Sequence, residues 1–140
     1  MKFEIQTIDD ANEVSGLLHD ATTTESEIDF NKEQRTFTAI FNRHKWEDSK
    51  RRGIFRRARM QAVHSKLTSK NVISMTINTK EILYPTNEIN FIEVNDLNVN
   101  IIFHNDVVIK LVLESYNGSL EDLDEAWDIK GPFSLSFGKD

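Results

Sequence analysis

The chain contains no cysteine. Disulfides, thiolate metal sites and cysteine nucleophiles are therefore excluded together, and the composition fits a reducing compartment. Five glycines and two prolines in 140 residues leave little material for phosphate-cradling loops. Neither G-x-x-x-x-G-K-[ST] nor G-x-G-x-x-G occurs. No serine lies in a G-x-S-x-G elbow. No apolar run approaches membrane-spanning length, and the stretch M-K-F-E-I-Q-T-I-D-D lacks the apolar core of a signal peptide. The sequence reads as cytoplasmic, with no membrane partner.

What is present suits a folded domain. Apolar residues make up 39% and charged residues 29%, so a single globular domain over residues 1–140 is expected. The net charge of −6 is unevenly spread. From Arg43 to Lys70 ten Lys/Arg face two acids, a balance of +8; the remainder carries seven against twenty-one, a balance of −14. Such segregation can build an anion-binding face, can pair with the chain's own acids, or can meet the acidic surface of a second copy.

Local patterning gives the elements in order. Met1 to Ile8 alternates as a first strand. Asp10 with Glu13 forms an Asp-x-x-Glu capping pattern, followed at helical spacing by Ala11, Val14, Leu17, Leu18 and Ala21. Ile28 and Phe30 share one strand face, Asn31 to Gln34 turns, and Thr36 to Phe41 alternates through Phe37, Ala39 and Phe41. The segment Arg51 to Leu67 fits a strand (Ala58, Met60, Ala62) or a helix (Phe55, Ala58, Ala62), and Gly53 at its start favours the strand. Asn71 to Thr79 sets Ile73, Met75 and Ile77 against Ser74, Thr76 and Asn78, a half-buried strand. Thr79 to Asn90, with Pro85, reads as the longest loop. Val99 to Phe103 and Val107 to Leu113 form a hairpin closed by His104-Asn105-Asp106. Ser119 with Asp122 then opens a short helix carrying Leu120, Leu123 and Trp127, stopped by Gly131-Pro132.

The expected fold is therefore α+β. It is a mostly antiparallel sheet, bent or rolled as in pleckstrin-homology-like domains, with an N-terminal helix and a short C-terminal helix.

Catalytic groupings are not evident. His19, His44, His64 and His104 are scattered, with no second histidine at metal-ligand spacing, so no metal site is expected. The acids at Asp9/Asp10 and at Glu121/Asp122/Asp124/Glu125 fall where helix starts favour them. No catalytic residue and no cofactor is assigned.

One stretch stands out. Asn42-Arg43-His44-Lys45-Trp46-Glu47 places a tryptophan among bases, just before Lys50-Arg51-Arg52 and Arg56-Arg57-x-Arg59. Bases interleaved with an aromatic are what single-stranded nucleic-acid surfaces use. A single tryptophan in an acidic chain equally suits a core cap beside a protein-facing surface.

With H-D-A near the end of the first helix and I-D-F after it, this stretch resembles domain-of-unknown-function family 2948, a set of small bacterial proteins. The matching elements are Asp20-Ala21, Asn42-Arg43 with Trp46-Glu47, the Lys50 to Arg59 block, and Asp122-Leu123 with Trp127. The chain departs at His44, where the family usually has an aromatic, and in a longer polar loop around Tyr84 to Asn90. The resemblance covers nearly the whole chain. It implies a small cytoplasmic single-domain protein, supports the strand reading of Arg51 to Leu67, and brings no activity and no catalytic residues.

The reading is a non-enzymatic binding module whose basic face is formed by Arg43, Lys45, Trp46, Arg51, Arg52, Arg56, Arg57 and Arg59. Its expected partner is a protein or other anion, with single-stranded nucleic acid as the alternative. A pocket inside the curved sheet using His64 or His104, and self-association of basic with acidic faces, are the rivals.

Overall fold

The computed structural model describes residues 1–46, 61–78, 86–123 and 127–128, the last two by backbone alone. The single α-helix among them, α1 (Ile8–Leu17), starts one turn earlier than the Asp10/Glu13 pattern suggests. Thr7 is its cap: Thr7 Oγ1 accepts from the Asp10 amide at 3.1 Å, while the Asp10 carboxylate accepts from the amides of Thr7 and Gln6 at 3.2 and 2.8 Å. The reciprocal box satisfies amides that the first turn leaves without partners. Ala11, Val14, Leu18 and Ala21 face the core as their spacing predicts.

The strands, in chain order, are β1 (Lys2–Ile5), β2 (Thr22–Thr23), β3 (Ile28–Asn31), β4 (Thr36–His44), β5 (Gln61–Ser69), β6 (Val72–Ile77), β7 (Asn87–Asn95), β8 (Asn98–Phe103), β9 (Val108–Leu113), β10 (Gly118–Asp122) and β11 (Trp127–Asp128). They form one antiparallel sheet in the order β1-β10-β5-β4-β2-β7-β8-β9-β6, with β3 added on β4 and β11 on β5. The path is open and the sheet bends over on itself, so the fold is α+β. The two-residue β2 is the join: Thr22 pairs with Asn42 on one side and Glu88 on the other. Both inner faces meet α1 in one core, with Phe37, Phe41 and Leu120 from one half and Ile89, Ile101, Phe103 and Ile109 from the other. Burying each such side chain contributes about 1.5–3 kcal/mol.

Both expected hairpins form. Ile28 to Asn31 pairs with Thr36 to Ala39. Their turn is closed by the Gln34 amide donating to Asn31 Oδ1 at 3.0 Å, with Arg35 at a φ of 54°. Ile101 pairs with Ile109 and Ile102 with Val108 across a turn in which Asp106 takes a φ of 69°.

Four expectations need correction. The short helix from Ser119 does not form: residues 118–122 are a strand hydrogen-bonded on both sides, to β1 and to β5. Leu120 is fully buried between outward-facing neighbours, and two ladders outweigh a local capping signal. Second, the loop expected up to Asn90 ends sooner, because β7 begins at Asn87. Its strand character is hidden in the sequence by three asparagines and two glutamates facing outward or pairing at its ends. Third, a bulge between Val72 and Ser74 shifts the β6 register, leaving Ile73 57% exposed while Val72 is fully buried. The face expected to be half-buried is thus only partly so: Met75 packs on the core, and Ile77 sits at the exposed edge. Fourth, the capping box lies at Thr7/Asp10. Of the ambiguous segment Arg51 to Leu67, residues 61–67 are strand, and the rest lies outside the described residues.

Gly118 is required where β10 enters the sheet between Ile5 and Ser69. A Cβ there would lie 2.2 Å from the Thr68 carbonyl oxygen, and backbone on a paired strand cannot give way. Gly118→Ala is therefore expected to destabilise the protein by about 1–3 kcal/mol, as other overpacking changes do. Urea denaturation checks this; an unchanged midpoint would contradict the close approach.

Candidate functional site

Arg43, expected on a basic contact face, is instead the largest side chain with no exposed surface. On β4 the odd-numbered residues Phe37, Ala39, Phe41 and Arg43 all point inward, so the strand's own alternation carries the guanidinium into the interior. There Nε donates to Ser65 Oγ at 2.9 Å, Nη1 to the His44 carbonyl at 3.2 Å, and Nη2 to Asp122 Oδ1 at 3.1 Å. Ser65 Oγ also donates to Asp122 Oδ1 at 2.6 Å, and the amino group of Met1 lies 3.4 Å from Oδ2. Burial alone would raise the Asp122 pKa. The Ser65 hydrogen bond, the Arg43 charge and hydrogen bond, and the terminal ammonium outweigh it and hold the carboxyl below the usual range. Arg43 is thus removed from the candidate contact residues.

Lys45 and Trp46 follow at the end of β4. The Lys45 amide donates to the Gln61 carbonyl at 2.8 Å, which continues the β4–β5 pairing past His44. Trp46 Nε1 donates to the His19 carbonyl at 2.8 Å, and its ring stacks on His44 with centroids 5.1 Å apart and planes 17° apart. The His19 ring lies 5.9 Å away, tilted. Trp46 therefore ties the strand to the segment after α1. The other candidates, Arg51, Arg52, Arg56, Arg57 and Arg59, lie outside the described residues.

The histidines are less scattered than the sequence suggests. His104 Nε2 lies 3.8 Å from Asp20 Oδ1 and 3.7 Å from Glu88 Oε1, and His19 Nε2 lies 3.6 Å from Asp20 Oδ2. One ligand atom each from Asp20, Glu88 and His104 falls within a 4.8 Å group, so these residues can hold a metal ion. On the same outer face, Glu88, Thr22, Asn42 and His64 form one cross-strand row over β7, β2, β4 and β5. His64, Asn42, Thr22, Thr24, Glu27 and Thr86 line a polar groove of about 190 Å³ along it. Sequence reasoning missed this assembly because its members are separated by up to 85 positions and meet only through strand pairing, across β2, β4–β5 and β7–β8.

A second cavity, of about 50 Å³, lies inside the bent sheet against α1, lined by Val14, Leu67, Ile92, Ile101 and Leu111 among others. It is apolar and far below the roughly 300 Å³ at which small-molecule pockets begin. Neither His64 nor His104 lines it.

The buried ion pair makes a sharp prediction. Asp122→Asn takes a carboxylate away from the buried Arg43 guanidinium, which is expected to cost up to about 3–5 kcal/mol at neutral pH. The joint change Arg43→Met with Asp122→Leu is expected to cost far less than the single one. Because the native Asp122 pKa is depressed, its contribution is present above the unfolded value of about 3.8 and lost as pH falls through the lower folded value. The stability gap between wild type and Asp122→Asn should therefore narrow from pH 7 to pH 3. Urea titrations at both pH values check the sign; a constant gap would remove the carboxylate from the account.

Three of the elements that carry the family resemblance meet in this region. Arg43 of the Asn-Arg pair binds Asp122 of the Asp-Leu pair, and Trp46 is bonded to His19, beside Asp20-Ala21. No curated protein and no solved structure matches the chain. A family model described as "Protein of unknown function (DUF2948)" matches residues 2–132. The chain belongs to that family.

Proposed function

We propose that the protein is a binding module that meets an acidic protein segment through Lys45, Trp46 and the basic run Lys50 to Arg59. The observation that carries this reading is the anchoring of Trp46. Its indole is held by the His19 carbonyl and stacked on His44, which fixes the last described residue before the basic run. Arg and Trp are prominent among binding hot spots. The acidic balance of −14 outside residues 43–70 would also disfavour an anionic partner over the rest of the chain. With His44 stacked on the ring, Trp46 offers less open face to a nucleobase, which favours a protein partner over a nucleic acid.

The test is fluorescence anisotropy of a labelled Asp/Glu-rich peptide and of labelled single-stranded RNA and DNA, over a salt series. The peptide is expected to bind with an affinity that falls as salt rises, and to lose roughly tenfold or more when Arg51, Arg52 and Arg57 are changed to Glu. Binding of the oligonucleotides alone would transfer the face to nucleic acid. No binding of any probe at about 50 mM salt, where the Debye length exceeds 10 Å, would overturn the proposal.

A further inference from the structure

We infer that the corner where the end of α1, β7 and the β8–β9 turn come together binds a divalent metal ion of the zinc class, through Asp20, Glu88 and His104. The three principal donors come from three separate parts of the chain, and their backbones are bonded to one another. The Ile89 amide donates to the Ala21 carbonyl at 2.8 Å, and the His104 amide donates to the Glu88 carbonyl at 2.9 Å. Asp20 lies at the reversal between α1 and β2 with a φ of 64°. It sits between the two imidazoles, with Oδ1 toward His104 and Oδ2 toward His19.

The spacing suits a small ion. Zinc bonds of about 2.0–2.1 Å in a tetrahedron put neighbouring donors about 3.3 Å apart. The 3.8 and 3.7 Å separations of His104 from Asp20 and Glu88 need a contraction of a few tenths of an ångström, and the three ligand atoms all lie within 4.8 Å of one another. Side chains as exposed as His104 and Glu88 (both 49%) can supply that by small rotations. The charge balance points the same way. Among the described residues no lysine or arginine pairs with Asp20 or Glu88; both face imidazoles only. The two carboxylates bring a charge of −2, which a divalent ion cancels. Mixed imidazole and carboxylate donors select zinc and its first-row neighbours over calcium and magnesium, which prefer all-oxygen shells.

The site uses none of the residues of the proposed contact face, and its test does not depend on an anionic partner. Zinc chloride would be titrated calorimetrically into the full chain without a histidine tag, with calcium and magnesium chloride as parallel arms. The expected result is one zinc per chain with a micromolar dissociation constant, weakened roughly tenfold or more in His104→Ala and in Asp20→Asn. His19→Ala should weaken it less, and His64→Ala, outside the cluster, should leave it unchanged. Far-UV circular dichroism checks that each variant is folded, and a wild-type melting temperature that rises with zinc but not in His104→Ala gives a second readout. Absence of saturable zinc binding, equal binding by His104→Ala, or equal loss in His64→Ala would each overturn the inference. So would a preference for calcium or magnesium.

Discussion

A guanidinium with no exposed surface sits beneath the sheet at Arg43, held by Ser65 and Asp122. Taking such a charge out of water costs several kcal/mol, and only a well-placed carboxylate with further hydrogen bonds offsets it. That requirement couples β4, β5 and β10, because each supplies one member of the triad. A register slip of one residue on any of them would turn its member to the opposite face and break the triad. The pair thereby selects one strand arrangement, and it does so where β10 joins late in the chain and could otherwise follow its own helical signals.

The second constraint is the short β2, whose Thr22 pairs with both halves of the sheet. Two residues are enough because neighbouring segments reinforce them: Thr23 Oγ1 donates to the Ile40 carbonyl at 2.7 Å, and Trp46 reaches back to His19. One consequence of this join is functional. It brings the segment that ends α1 against β7 and the β8–β9 turn, so residues from positions 19, 20, 88 and 104 share one surface. Trp46 packs against His19 in the same region. The outer face thus places a carboxylate and histidine cluster beside Trp46 at this join.

Much of the fold was legible. Hydrophobic alternation located both hairpins, and helical spacing identified the buried face of α1, because those signals depend on neighbours within a few residues. The failures share a cause as well. Ser119 and Asp122 look like a helix start by local chemistry, yet Asp122 serves an arginine 79 residues away. Asn87 looks like loop composition, yet it is buried and accepts from Asn105 Nδ2 at 2.6 Å. Ile73 alternates correctly but sits on a bulge. In each case a partner remote in sequence, or a register shift, overrode the local pattern.

The site divides in the same way. By itself the sequence determined the α+β class, the absence of thiol chemistry, the charge segregation and the resemblance to a family, because composition and short-range periodicity carry those properties. Which way each charged residue faces was decided only by the tertiary structure. Arg43 reads as one more member of a basic run, but inward alternation on a strand buried at that end makes it a structural ion. His104 reads as an isolated turn residue, but β2 pairing sets it between two carboxylates. A residue's type is local; its partners are fixed by strand order and register, which are settled only when the whole sheet closes on its core.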